Sequence, residues 1–565
     1  SGWNRVSPIV DIDSQYSTLP IGGGHVLAFG DSGTTPAFLD VTTAGATNLN
    51  IGITLASGQI IGEFSGPPAP RIATTGAVHY AAYIDPAHSN KASVRKYTIS
   101  SSTWSQVGST GFSAGEVSNI SIVYANSKLY ALYKDASQGG DATIMIYNGT
   151  AWVNLSTNIF GGEIMYPLMH YNSGADTMEV YAVKRSDISK VSNVSVAATL
   201  PPALTIATGQ AASVVIGQPN FISGSANQGG TAAANTLNFP YINPAVLGGR
   251  LYIADGSSSR VLGFNSVPTS NNASADFVLG QPDFVTATGG APSASAIYPY
   301  GVAAFSNGKF AVADSQRARA LIYNTAPTAT GTLPDVVVGQ SAMNVFNPAC
   351  NSTTTSSVTD ITYINGKLII VDGGHHRILI YNSVPTTNGA AADLVLGQAD
   401  FVSCNGNRGA TVAANTLYYP DGVWTDGTRL AIADSNNHRV LIWNTFPTTN
   451  GQNADLVLGQ TLFTTSITNN GGRSASSLNE PISVKSNGTQ LVVSDRSNAR
   501  VLIWSSFPTT NKQAATSVLG QTAFTTATQA TTQTGMKGPG GLFINGTQLL
   551  VVDGLNSRVL IYDGI

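Results

Sequence analysis

Six near-identical tetrapeptides ending in Gly-Gln constrain this chain more than any other feature. They read VIGQ, VLGQ, VVGQ and then VLGQ three times, placing glutamines at Gln218, Gln281, Gln340, Gln398, Gln460 and Gln521. A second sixfold signal runs alongside them, Asp-x-x-x-x-Arg flanked by apolar runs. Its members are Asp255/Arg260, Asp314/Arg319, Asp372/Arg377, Asp434/Arg439, Asp495/Arg500 and Asp553/Arg558. Successive motif aspartates stand 59, 58, 62, 61 and 58 residues apart. A period that regular specifies a repeated supersecondary unit.

Within one period the strand signals keep a fixed order. In the fourth repeat YYPDGVWT is a first strand, RLAIADS a second and HRVLIWN a third; FPTTNGQNA is a turn and DLVLGQ a fourth strand. Four short antiparallel strands, six times over, describe an all-β fold, a six-bladed β-propeller. The chain order also supplies the closure. The region opens with an orphan outer strand, SVVIGQ at 213–218, and ends just after a third strand, RVLIYDGI. Placing 213–218 on the last blade closes the ring and pairs both exposed edges, which removes an aggregation liability.

The runs LYIADGSSSRVLGFN and LAIADSNNHRVLIWN resemble NHL repeats, of the bacterial variety that carries VLGQxxF and a Ser/Asn/Gly-rich insert. The resemblance covers about residues 211–565. It implies the propeller fold and leaves function open, because that repeat serves enzymes, adhesion and scaffolding alike.

Residues 1–197 carry a looser repeat. AVHYAAYIDPAHSNKASVRKYTISSSTWSQVG aligns with SKLYALYKDASQGGDATIMIYNGTAWVNLS, matching Asp85 with Asp135, Tyr97 with Tyr147 and Trp104 with Trp152. Fainter copies surround HVLAFGD and EVYAVKR, and Trp3 in WNRV takes the place of Trp104 in WSQV, as a closing outer strand would. The region is similar to kelch-like bacterial repeats, which implies a smaller propeller of about four blades; an irregular β-sandwich is the alternative. The recurrent Trp and Tyr residues read as packing groups. Residues 198–210, with Pro201 and Pro202, read as a linker to the second domain at 211–565.

Composition narrows the function. Charged residues are only 10% of the chain against roughly 25% in ordinary soluble proteins. With 27 Lys+Arg against 30 Asp+Glu there is no basic field for phosphates, so nucleic acid is excluded as a partner. No apolar run reaches the ~18 residues of a membrane span, so membrane insertion is not expected. A neutral surface rich in Ser, Thr, Asn and Gly suits a secreted or cell-surface protein.

The Asp/Arg pairs recur in every blade and therefore read as structural clamps at the turn between second and third strands. His375, His376 and His438 sit in these turns without a carboxylate cluster, so they do not read as a metal site. Cys350 and Cys404 lie in the inserts of neighbouring blades, where a disulfide or two free thiols are both open. No nucleophile elbow, P-loop or HExxH occurs, and no catalytic residue is assigned. A site is made by what differs between blades, which directs attention to the starts of the innermost strands. Those starts read as Tyr241, Tyr300, Asp360, Asp421, Ile482 and Gly540, with Glu480 just before one of them. Tyr241, Tyr300, Asp360, Asp421 and Glu480 form the candidate ligand-binding set, beneath long inserts on the same face.

The expectation is a recognition module, an adhesin-like head contacting glycan or protein without a cofactor. One alternative is a propeller hydrolase or lyase, Ca²⁺-dependent through Asp360, Asp421 and Glu480. The other is a structural component of an oligomeric or fibre-like extracellular assembly.

Overall fold

The computed structural model describes residues 204–564 without a break and most of 78–197. Before those it describes only the strand segments Ser17–Gly22, His25–Asp31, Pro36–Thr42, Gly45–Asn48 and Ile72–Thr74. The chain divides into two compact units, Ser1–Leu200 and Pro201–Ile565. Among the described residues both are built from antiparallel sheets, with only short 3₁₀ turns beside them.

Among its described residues the first unit holds four sheets in sequence order, three of four strands and a last one of three. The matched pairs of the repeat meet across their strands: Tyr97 pairs with Trp104, and Tyr147 with Trp152. Trp152 is buried, stacks on Phe112 at 4.5 Å and donates its indole N–H to the Val107 carbonyl. The side chains of Tyr97 and Trp104, and the closing strand expected around Trp3, lie outside the described residues.

The second unit is a β-propeller of six four-stranded sheets. Apolar alternation on both faces of each blade makes the cores, which lie between neighbouring blades; Val371, Ile378 and Leu396 of one blade pack with Val423, Ile432 and Leu441 of the next. The last sheet takes its outer strand from the start of the unit. Val214–Ile216 pairs antiparallel with Arg558–Asp563, so the expected closure is present. Inner strands of consecutive blades touch around the ring, and Gly541 N–H donates to the Tyr241 carbonyl to join the sixth blade to the first.

The closure reaches further back than the sequence suggests. Residues 204–210, expected in the linker, are packed on the propeller. Leu204 and Ile206 are buried among Val492, Val501 and Leu549, and Gln490 both donates to and accepts from the Leu204 backbone. The reason lies in the repeat. In four blades the turn before the outer strand lends an Asn side chain to the preceding blade's outer strand: Asn271 to Val215 N, Asn388 to Val337 N, Asn450 to Val395 N and Asn511 to Val457 N. Thr208 does the same for Val518 N, and Gly209 N–H donates to the Val518 carbonyl as Gly451 N–H does to Val395. Residues 204–212 are thus the second half of the last blade's own turn.

Candidate functional site

Each blade fixes its insert with two staples. In the fourth, Asp434 Oδ1 accepts Tyr418 N–H at 2.7 Å, while Oδ2 accepts Arg439 Nε at 2.7 Å. The same buried pair recurs in every other blade. Arg260 sits on Asp255, Arg319 on Asp314, Arg377 on Asp372, Arg500 on Asp495 and Arg558 on Asp553, each through Nε at 2.7 to 2.9 Å.

The Asp–Arg Nε pair spans the turn between second and third strands, and the outer guanidinium nitrogens reach beyond it. They leave that turn and bind the inserts on both sides of the blade. Arg439 donates to Ala413 and Thr416 carbonyls in the insert before its blade, and to Phe463 in the insert after it. Arg260 takes Ala233, Thr236 and Phe284 in the same way, and Arg319 takes Ser293, Ala296 and Met343. Arg377 takes Asn351, Thr354 and Phe401, and Arg500 takes Ser474, Ser477 and Phe524. Arg558 repeats the pattern with Thr532, Gly535 and, across the closure, Phe221. A guanidinium has five N–H donors and one carboxylate oxygen satisfies only one of them, so the buried remainder must find carbonyls. The pair bridges its own turn and at the same time holds the inserts on both sides of the blade.

The Gly-Gln glutamine is the second staple. Gln460 Nε2 donates to the carbonyls of His438 and, seven residues on, Ile467. The long inserts are therefore pinned down on both sides of the blade. Cys350 and Cys404 are joined in a disulfide across two of them, with a sequence separation of 54.

The histidines act within the same frame. His375 Nδ1 pairs with Asp372 Oδ2, where Asn437, Asn498 and Asn556 donate to their own motif aspartates. His376 and His438 reach the next blade instead. Their Nδ1 atoms accept the backbone N–H of Tyr419 at 3.0 Å and of Glu480 at 3.2 Å. Among the described residues no group of three or more His, Cys, Asp or Glu is placed to hold a metal ion.

The candidate residues fall at two depths, because the inner strands begin with a bulge. Pro420 pairs with Asp434 and Gly422 with Ala433, leaving Asp421 as the extra residue. In the neighbouring blade Val358 pairs with Asp372 and Asp360 with Val371, so the residue matching Asp421 is Thr359. Asp360 lies one step further in. Its Oδ1 accepts Ile361 N–H, and its Oδ2 accepts Asn243 Nδ2, Val423 N–H and Lys485 Nζ at 2.9, 3.0 and 3.1 Å. Asn243 Oδ1 in turn accepts from the Ser483 hydroxyl and from Leu542 N–H. This network ties five blades together and plugs the channel, so Asp360 leaves the candidate ligand set and is no second ligand beside Asp421. Tyr241 is also displaced: the first blade's inner strand starts only at Ala245, and Tyr241 and Ile242 bridge to the blades on either side.

The other four candidates meet at the mouth. Tyr241 and Tyr300 pack with ring centroids 4.7 Å apart, and Phe239 stacks on Tyr241 at 5.7 Å. Arg496 donates to Tyr241 Oη at 3.1 Å and sits 5.1 Å from its ring centroid. Ser497 donates to Glu480. Among these groups Asp421 is 2% exposed, and its Oδ1 is the one carboxylate oxygen among the described residues that is buried without a hydrogen-bond partner. Burial lifts its pKa from 3.8 to about 7, aided by the charges of Glu480 and Asp360; Ser435 and Arg496 pull the other way. Burial, together with the neighbouring Tyr419 and Asp421, raises Tyr300 to about 12, and Tyr241 rises for the same leading reason.

Sequence reasoning missed Arg496 and Tyr419. The position after the motif aspartate is Gly256, Ser315, Gly373, Ser435, Arg496 and Gly554, so the one arginine there was a visible departure from the repeat. Phe239, Tyr419 and Glu480 all hold positive φ, at 52°, 51° and 54°, although each precedes a proline. Bulky residues are rare in that region, and such outliers gather at functional sites.

Neither known protein families nor curated protein sequences give a match to this chain. Solved structures similar to it include the computationally designed Ika8 protein, at 7% identity and TM-score 0.30, covering 78% of this chain and 95% of that one. The PQQ-bound aldose sugar dehydrogenase of Streptomyces coelicolor matches at 13% identity and TM-score 0.35, covering 59% and 96%. A streptogramin B lyase matches at 11% identity and TM-score 0.32, covering 70% and 89%.

Proposed function

We propose that this chain is a recognition module of the secreted or cell-surface kind, built on an NHL-type propeller. It takes a neutral, hydroxyl-bearing ligand, a glycan or a polar peptide segment, at the channel mouth. The observation that carries this reading is the orphan Oδ1 of Asp421 amid Tyr241, Tyr300 and Arg496. A buried polar atom left without a partner costs about 1–3 kcal/mol, which a ligand hydroxyl would recover. Aromatic faces pack on the C–H groups of a sugar ring, and a carboxyl that titrates near neutrality both donates and accepts. The Cys350–Cys404 disulfide supports an oxidising compartment. No helix among the described residues is long and apolar enough to cross a membrane.

The test is a glycan array with the purified chain, followed by the Tyr300→Ala/Asp421→Ala double variant. The expected result is loss of the captured glycan with the β-sheet circular-dichroism spectrum of the wild type retained. Retained binding would remove the mouth from consideration. A second reading, a hydrolase or lyase using Asp421 as general acid or base, is favoured by its raised pKa alone. Turnover of an array hit, abolished in Asp421→Asn, would select that reading; tight binding without turnover selects recognition.

A further inference from the structure

Three residues in strained positive-φ conformations border the mouth, and each donates its backbone N–H to a side chain on the preceding blade's turn. Phe239 N–H meets Ser557 Oγ at 3.3 Å, whereas Tyr419 and Glu480 meet the Nδ1 atoms of His376 and His438. A backbone N–H is only a donor, so both imidazoles must present a bare Nδ1 and carry their proton on Nε2. For His438 this agrees with Nε2 lying 3.0 Å from Thr468 Oγ1. His376 belongs to the turn of blade three and His438 to that of blade four, the blade that carries Asp421 at its bulge.

We infer that His376 and His438 are positioning residues of the mouth, holding Tyr419 and Glu480 in place through neutral Nδ1 acceptors, so that the site disassembles on acidification. The inference rests on reading the mouth as the binding site. Protonation puts an N–H where the acceptor lone pair was, facing another N–H; the bond is lost and the αL strain is free to relax. Phe239, held by a hydroxyl, keeps its bond at every pH. The disassembly is therefore confined to the side of the mouth formed by blades four and five.

Charged groups face each ring from two blades. His376 faces Asp372 and His375 of its own turn and Asp434 of the next blade, with the Tyr418 and Tyr419 rings at 5.2 and 6.4 Å. His438 faces Asp434 of its own turn and Glu480 and Asp495 of the next blade. Burial outweighs the carboxylates at both and holds the rings below the ordinary 6.5, so both are neutral at pH 7 and take up a proton only on acidification.

The chain has seven histidines, few enough for selective ¹⁵N-histidine labelling and side-chain correlation spectra, assigned through His376→Asn and His438→Asn. Both rings are expected as Nε2–H tautomers at pH 7.5, titrating below pH 6.5. Crystal structures at pH 7.5 and at a pH where both rings are shown to be protonated should show Tyr419 and Glu480 leaving positive φ in the wild type only. The His376→Asn/His438→Asn variant should keep both conformations at both pH values, because the Asn carbonyl accepts the same N–H without titrating and tolerates positive φ. An Nδ1–H tautomer at either site overturns the inference. So does an unmoved Tyr419 and Glu480 beside two protonated rings. Neither readout uses a ligand, so failure of the recognition reading would be seen separately on the array.

Discussion

The plug and the mouth of the channel hold the same residue type on neighbouring blades, one register step apart. At Asp360 every approach is filled: four donors from four different residues surround the carboxylate, Lys485 among them. At Asp421 one oxygen is left with nothing, and burial keeps the group half protonated near neutrality. The plug spends its charge on joining blades. The mouth holds a polar group that the protein itself leaves unsatisfied, which is the condition expected of a surface waiting for a partner and wasteful anywhere else. Burial alone therefore does not separate these two carboxylates; the inventory of donors does.

Three substitutions test that contrast, from the largest effect to the smallest. Asp360→Ala strands Lys485 and the Asn243 amide in a site that water barely reaches, and should lower the stability of the propeller by roughly 3–5 kcal/mol. Scanning calorimetry, following the transition of the larger unit, would measure it; a loss below about 1 kcal/mol would mean that the plug is decorative. Asp421→Asn should do the opposite. A carboxyl whose pKa is raised from 3.8 to about 7 on folding binds its proton more tightly in the native state. Its contribution is full below pH 3.8 and is lost as pH rises through 7. Asn carries no such dependence, so the variant should match wild type near pH 4 and exceed it by up to roughly 4 kcal/mol at pH 8. A pH-independent difference would contradict the assignment. Ser483→Ala removes one of two donors to Asn243 Oδ1 and should cost only about 1 kcal/mol without touching the mouth.

The ring was legible in the sequence because each blade repeats the residues that build it: the Asp/Arg pair, the Gly-Gln and the apolar strands fall at one spacing. The orphan SVVIGQ even announced the closure. What the pairs hold was not legible, because the carbonyls that receive each arginine belong to inserts whose letters differ from blade to blade. The split turn before the closing strand was hidden too, since Thr208 replaces the usual Asn and Pro201-Pro202 gives the approach the look of a tether. The depth of Asp360 was hidden for a similar reason. Its blade has Val358 where the neighbouring blades have proline, so the bulge that shifts it inward has no marker in the letters. Arg496 and Tyr419 were in plain view but were passed over, since neither belongs to a motif. The hold of His376 and His438 on the next blade depends on a tautomer that only geometry reveals.

The borrowed outer strand also sets a timetable. Ser213 bonds to the Ile561 carbonyl, 348 residues later in the chain. At synthesis rates of roughly 5–20 residues per second, the strand that opens the ring waits on the order of 20–70 s for its partner to be made. During that interval five blades can form while the sixth has nowhere to fasten. Loss of the strand Arg558–Asp563 would leave Val214–Ile216 as an unpaired, wholly apolar edge, a template for the wrong neighbour. Synthesis of the strand Arg558–Asp563 is in this sense the step that closes the ring, and a nascent propeller depends on whatever shields that edge until then.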